Sequence, residues 1–144
     1  MNKHALKESS DAVQTHLSIC QGIIQRMATN SASCKAWCVA LVSAILVVVA
    51  DKHVPKYMLV AVLPTVVFYV LDAYYLGLER CFRESYNKFI DKVHNEGIEA
   101  ADLFIMQPTG SIFWATLSSL WSFSTAPFYL MLLVVVAIAA ALIS

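Results

Sequence analysis

Apolar residues in this chain fall in long blocks separated by amphipathic and polar stretches. The most informative block runs from Met58 to Arg83, MLVAVLPTVVFYVLDAYYLGLERCFR, where a continuous apolar run passes into a charged helical pattern without a break. A helix at the edge of a soluble core would carry polar residues at every third or fourth position, and here they begin to recur only beyond Leu78. The stretch is expected to cross a bilayer, to leave it at the aromatic pair Tyr74 and Tyr75, and to continue into water. Two further blocks, Ala36 to Ala50 and Pro127 to Ile143, have the same character. About 20 apolar residues cross a membrane upright, so the first block needs Ala32 to Cys34 and a snorkelling Lys35 to reach that length.

Around these blocks the periodicity becomes helical and one-sided. Leu6, Val13, Leu17, Cys20, Ile24 and Met27 form a seam, widened by Ile19 and Ile23. Beyond Leu78, Phe82, Tyr86, Phe89, Ile90 and Val93 form a second stripe, with Arg83, Glu84, Lys88, Asp91 and Lys92 off it. The two stripes are expected to face each other as a two-helix stalk that ends near Asn95-Glu96-Gly97, or to offer the second stripe to a partner protein. A short helix is expected over 98–105, then a turn at Gln107-Pro108-Thr109-Gly110. Residues 111–123 bring aromatic and hydroxyl side chains together without charge; they read as a helix in the plane of the interface, with Trp114 and Trp121 as anchors beside Tyr74 and Tyr75, or as a helix packed on the stalk.

The expected fold is therefore an all-α membrane protein. Residues 1–30 form an N-terminal amphipathic cytoplasmic helix and 31–78 an antiparallel transmembrane hairpin. Residues 79–110 form an amphipathic cytoplasmic helix and turn, and 111–144 an aromatic interfacial helix followed by a third transmembrane helix. Composition agrees, at 59% hydrophobic and 14% charged residues. Lys3, Lys7, Arg26 and Lys35 before the first span, and Arg80, Arg83, Lys88 and Lys92 after the second, outnumber Lys52 and Lys56 in the turn. That bias places the N-terminus and residues 79–110 in the cytoplasm and the C-terminus on the opposite side. The long polar stretch before the first apolar block argues against a secretory signal peptide.

Helical rise counted from the Asp51–Tyr57 turn sets Asp72 and Lys35 at one depth. Asp72 is expected to pair with Lys35, or with Arg80 or Arg83 on later turns, as a structural ion pair or as a pore-lining or gating carboxylate. Ala32, Ala36, Ala40 and Ala44, with Ser43 beside them, form a ribbon of small side chains that lets a helix approach closely, either the second span or another subunit. Cys20, Cys34, Cys38 and Cys81 are expected to be free thiols. His4, His16, His53 and His94 are scattered and read as solvated or interfacial, so no metal or cofactor is expected. Catalytic constellations, phosphate-binding glycine loops and nucleic-acid-binding patches are absent, and an enzyme is not expected.

The stretches IIQRMATNSASCKAWCVALVSAILVVVA (Ile23 to Ala50) and LDAYYLGLERCFRESYNKF (Leu71 to Phe89) carry an N-terminal helix, a tight two-span hairpin and an amphipathic exit helix. This order resembles the SLATT-type two-transmembrane effectors of bacterial conflict systems. The resemblance implies a homo-oligomeric inner-membrane effector that permeabilises the bilayer when a cytoplasmic sensor or regulatory protein signals phage infection. The third span and its aromatic lead-in depart from the two-span pattern. The same residues also fit a membrane-anchored adaptor whose cytoplasmic helices bind a partner protein.

Overall fold

The computed structural model describes residues 10–52, 55–95 and 97–143. Expectations placed on Leu6, Lys3, Lys7, His4, His53, Glu96 and the C-terminal Ser144 lie outside the described residues. Every element among the described residues is helical: α1 (Asp11–Lys52), α2 (Leu59–Asn95), α3 (Ile112–Leu120) and α4 (Ala126–Ile143), with single 3₁₀ turns at Pro55–Met58 and Ala100–Asp102.

Helix α1 begins where Ser10 accepts the Val13 N–H at its hydroxyl, 3.4 Å away, and the Gln14 N–H at its carbonyl, 3.1 Å away. It then runs 42 residues, through Thr29-Asn30-Ser31, without a break. At about 1.5 Å per residue it is about 63 Å long, roughly twice the hydrocarbon thickness of a bilayer. Helix α2 contains Pro64, which removes one backbone donor. The Thr65 hydroxyl on the next residue donates to the Ala61 carbonyl at 2.8 Å. The helix stops at Asn95 because Gly97 turns left-handed, with φ of 79°, and returns its N–H to the Lys92 carbonyl at 3.1 Å.

Helices α1 and α2 pack along their length, and the C-terminal third retraces α2 in reverse. The Thr109 N–H reaches the Cys81 carbonyl at 3.2 Å, and a Cβ placed on Gly77 would stand 2.8 Å from the Thr116 nitrogen. The Tyr69 hydroxyl donates to the Leu120 carbonyl at 2.7 Å, and the Tyr129 hydroxyl to the Phe68 carbonyl at 3.1 Å. Val136 of α4 then joins the cluster that holds Met58 and Ala61. Helix α3 packs on α2 between Tyr69 and Gly77, before the stalk begins, while Phe113, Trp114, Trp121 and Phe123 face outward. The absence of a side chain at Gly77 is what lets the two backbones meet.

Two separate cores result. One lies between α1, α2 and α4, around Cys38, Val42, Val49, Ala61, Tyr129 and Val136. The other closes the far end of the α1–α2 pair, around Val13, Ile98 and Leu103, with Leu17, Phe89 and Val93 against it. Only 22% of the most apolar stretch of α1 or of α2 is buried. The core helix of a soluble protein is, by contrast, mostly covered. Val47, Leu59, Leu63, Leu130 and Met131 all face outward.

Two sequence expectations are corrected, and one open alternative is narrowed. Residues 98–105 hold only the 3₁₀ turn at Ala100–Asp102, after which the chain turns at Leu103 and Phe104 and continues without regular structure as a strap. Asp102 accepts the Glu99 N–H at 3.0 Å as a capping box that starts this turn, and it accepts Lys92 at 2.7 Å; the turn ends where Leu103 is extended and Phe104 turns left-handed. Of the two partners expected for the ribbon Ala32, Ala36, Ala40, Ser43 and Ala44, α2 is not the one it meets, since the ribbon is exposed in the single chain. The face that α1 turns to its neighbours is Ser31, Cys34, Cys38, Val42 and Val49, because larger side chains bury more area there. Ile19 points outward, and the buried residue beside it is His16.

Candidate functional site

Asp72 is fully buried where α1, α2 and α4 meet. Its Oδ1 accepts the Ser31 hydroxyl, and its Oδ2 is met by the Lys35 ammonium at 2.6 Å. Ser31 and Lys35 are one helical turn apart on α1, so both project toward the same point on α2. The Lys35 Nζ also lies 3.5 Å from the Ser31 Oγ and 6.0 Å from the centre of the Phe128 ring of α4. From the other side Tyr129 comes close enough to interact with Asp72 while its hydroxyl is held by the Phe68 carbonyl. Its ring packs on Tyr69 at 5.2 Å between centroids.

This arrangement closes the carboxylate completely. A buried charge is tolerated when it is paired, and here the Ser31 hydroxyl bonds Oδ1 while Lys35 neutralises Oδ2 as an ion pair, without a well-directed hydrogen bond to that oxygen. Lys35 keeps 19% of its side chain exposed, so the pair has one wet edge. Arg80 and Arg83, the alternative partners, are engaged elsewhere: Arg80 donates to Ser122 Oγ at 3.1 Å and Arg83 pairs with Glu79. Cys34 and Cys38 line the same α1 face as buried free thiols, and Cys20 and Cys81 are free as well. Three hydroxyls, of Thr116, Ser119 and Thr125, are buried without a protein partner among the described residues.

The stalk stripe divides its roles. Phe89 and Val93 pack on the Val13–Ile98–Leu103 core, and the Tyr86 hydroxyl accepts Gln21 Nε2 at 3.1 Å. Phe82 and Ile90 are half-buried. Tyr74 and Tyr75 stack edge to face at 5.7 Å, and Trp114 and Trp121 point outward.

A second buried polar group was not expected. His16, read from sequence as solvated, is 2% exposed. Its Nδ1 accepts the Phe104 N–H at 2.9 Å, its ring lies 4.1 Å from that of Phe89, and its Nε2 is 3.6 Å from Cys20 Sγ. Cys20 in turn reaches Met106 Sδ at 3.3 Å. The signal available in the sequence was the spacing of His16 and Cys20, four apart on one helical face. The set resembles a soft-metal site in donor type, yet a neutral ring whose Nδ1 accepts a bond carries its proton on Nε2, so that nitrogen is a donor to Cys20 and not a ligand. Burial lowers the imidazole pKa and raises that of the Cys20 thiol, which keeps both groups neutral.

Compared with protein-family models, curated proteins and solved structures, the chain matches none. Its function is therefore argued from its own geometry.

Proposed function

We propose that this chain is a multi-pass membrane protein, with α1, α2 and α4 crossing the bilayer, and that it acts as an oligomeric bacterial inner-membrane effector that permeabilises the membrane in an anti-phage response. The observation that carries the reading is the Lys35–Asp72–Ser31 cluster, a fully buried carboxylate locked between apolar helices whose outer surfaces are themselves apolar. Ionisable groups at such depth are costly and concentrate where a membrane protein moves or passes charge. The exposed small residues Ala36, Ala40, Ser43 and Ala44 offer a close-packing face to a second copy. In the closed chain the carboxylate is sealed; rotation of α1 against α2 would part Lys35 from Asp72 and turn polar atoms toward a pathway shared by several copies.

The test is membrane potential and growth in bacteria on induced expression of the full chain, beside Asp72→Asn and Lys35→Met. Depolarisation that either substitution changes, with insertion and assembly intact, is the expected result. Inserted protein that leaves the potential untouched under phage challenge as well as at rest would defeat the reading.

A second reading, a membrane-anchored adaptor, is favoured by the groove of about 800 Å³ between α1 and α2 in the stalk. Ser18, Gln21, Gln25, Arg83, Tyr86 and Asn87 line it, a mixed polar and aromatic surface suited to a protein segment. A cytoplasmic protein that co-purifies with the wild type and is lost on Tyr86→Ala, without any depolarisation, would favour the adaptor.

A further inference from the structure

The strap 98–106 is held against the stalk by Ile98 and Leu103 in the core around Val13, by the Lys92–Asp102 pair, and by one directional chain of hydrogen bonds. The Phe104 N–H donates to His16 Nδ1 at 2.9 Å; the proton on Nε2 then points to Cys20 Sγ, and the Cys20 thiol to Met106 Sδ. The chain works only with a neutral ring. Adding a proton to Nδ1 sets it against the Phe104 N–H, two donors facing each other, and places a charge on a ring that is buried. Phe104 itself has φ of 63°. That conformation is unfavourable for a bulky side chain and persists only when its surroundings impose it. The backbone bond to His16 is such a restraint.

We propose that His16 is a proton-operated latch, closing the strap over the stalk when neutral and releasing it when protonated. The groups around the ring do not oppose this. On α1 the ring meets Cys20, on α2 Phe89 and on the strap Phe104, none of them charged; the charged and titratable groups further along α2 and the strap are Lys92, His94, Glu99 and Asp102. Lys92 and Asp102 neutralise each other at 2.7 Å. Burial of the ring is the resolved influence on its titration, and it disfavours the charged form. The sign follows: the closed strap binds fewer protons than the open one, so closure is fully favoured above the free histidine pKa of about 6.5 and weakens as pH falls below it. Release would uncover Val13, Ile98 and Leu103 together with Cys20 and Met106. The latch lies in the stalk alone and operates whether or not the apolar half conducts.

The experiment is amide hydrogen exchange of residues 98–106 in the full chain in lipid nanodiscs from pH 7.5 to 5.5, corrected for intrinsic rate, with the His16 ring followed by NMR in the same samples. Protection at Phe104 should fall by up to about tenfold per pH unit below pH about 6.5, as one linked proton requires. His16→Asn keeps an acceptor near the Nδ1 position and cannot titrate, so its protection should be flat. Constant protection in the wild type would overturn the latch. So would an equal loss in His16→Asn, which would assign the acid response to Asp102 or Glu99, or titration of the His16 ring without any loss of protection.

Discussion

The α1–α2 pair buries one polar centre in each half, and the two are closed by different physics. In the apolar half, Asp72 is neutralised by Lys35 and bonded by Ser31, so the closure is electrostatic and largely indifferent to small changes of angle. In the stalk, His16 is uncharged and is held by the direction of its bonds, from Phe104 to the ring and from the ring to Cys20. The Asp72 carboxylate is fully buried, so a lost partner there leaves a desolvated charge unpaired, which makes opening of the first centre costly. The stalk strap, with Phe104 itself exposed, has water beside it and can open reversibly.

The sharpest way to break the comparison is Lys35→Met. It leaves a fully buried carboxylate opposite a thioether and should cost about 3–5 kcal/mol, the usual penalty for removing one partner of a buried pair. Lys35→Met combined with Asp72→Leu should recover most of that loss, since an apolar pair of similar volume needs no desolvation. Chemical unfolding in detergent micelles measures both. A double variant as unstable as the single one would mean that the charges hold the bundle by something other than their mutual neutralisation.

The next effect is expected at Gly77. A methyl there would meet the backbone of Ala115 and Thr116 at 3.0 and 2.8 Å, and backbone atoms cannot swing aside as a side-chain end can. Gly77→Ala should therefore push α3 from α2 and cost about 1–3 kcal/mol, as overpacking does. Exchange at the α3 amides should rise while those of α1 stay protected. In the stalk, His16→Phe keeps the ring stacked near Phe89 but removes the acceptor for Phe104. That loss should be only about 1 kcal/mol, because the freed N–H can reach water. The variant should also lose the acid sensitivity of the strap.

Much of this arrangement was legible in the sequence, and the gaps have physical causes. Counting helical rise from the turn set Lys35 and Asp72 at one depth, and there they meet, because two unbroken helices transmit register over that distance. The stripe of Phe89 and Val93 pointed to the stalk for the same reason. Which face of α1 meets α2 is not legible, because small residues recur every fourth position on one side and medium ones on the neighbouring side; periodicity alone cannot say which of two adjacent stripes α2 covers. His16 reads as solvated or interfacial because it has no evident companion in the sequence, and only the return of the strap eighty-eight positions later supplies its partner. The strap cannot be told from a helix in the sequence: 98–105 has no strong helix breaker and even carries a capping box at Glu99 and Asp102, while the Phe104–His16 and Lys92–Asp102 bonds that position it come from residues distant in the chain.

The smallest expected effect separates the two halves most cleanly, because it asks the same question of a second glycine. Gly22 lies in the interior of α1 at the stalk groove, and a Cβ there meets nothing within 4 Å. Gly22→Ala removes backbone freedom from the unfolded chain and adds no clash, so it should stabilise the protein by about 0.5–1 kcal/mol, opposite in sign to Gly77→Ala. Thermal unfolding of the two variants side by side checks the sign. If Gly22→Ala stabilises the isolated chain yet weakens retention of a co-purifying cytoplasmic protein, the open space beside Gln21 and Gln25 is a docking groove, and the adaptor reading gains over the effector. If it stabilises the chain and leaves both retention and depolarisation unchanged, the groove is solvent-filled, and the stalk acts through its strap rather than through the face that Gly22 leaves open.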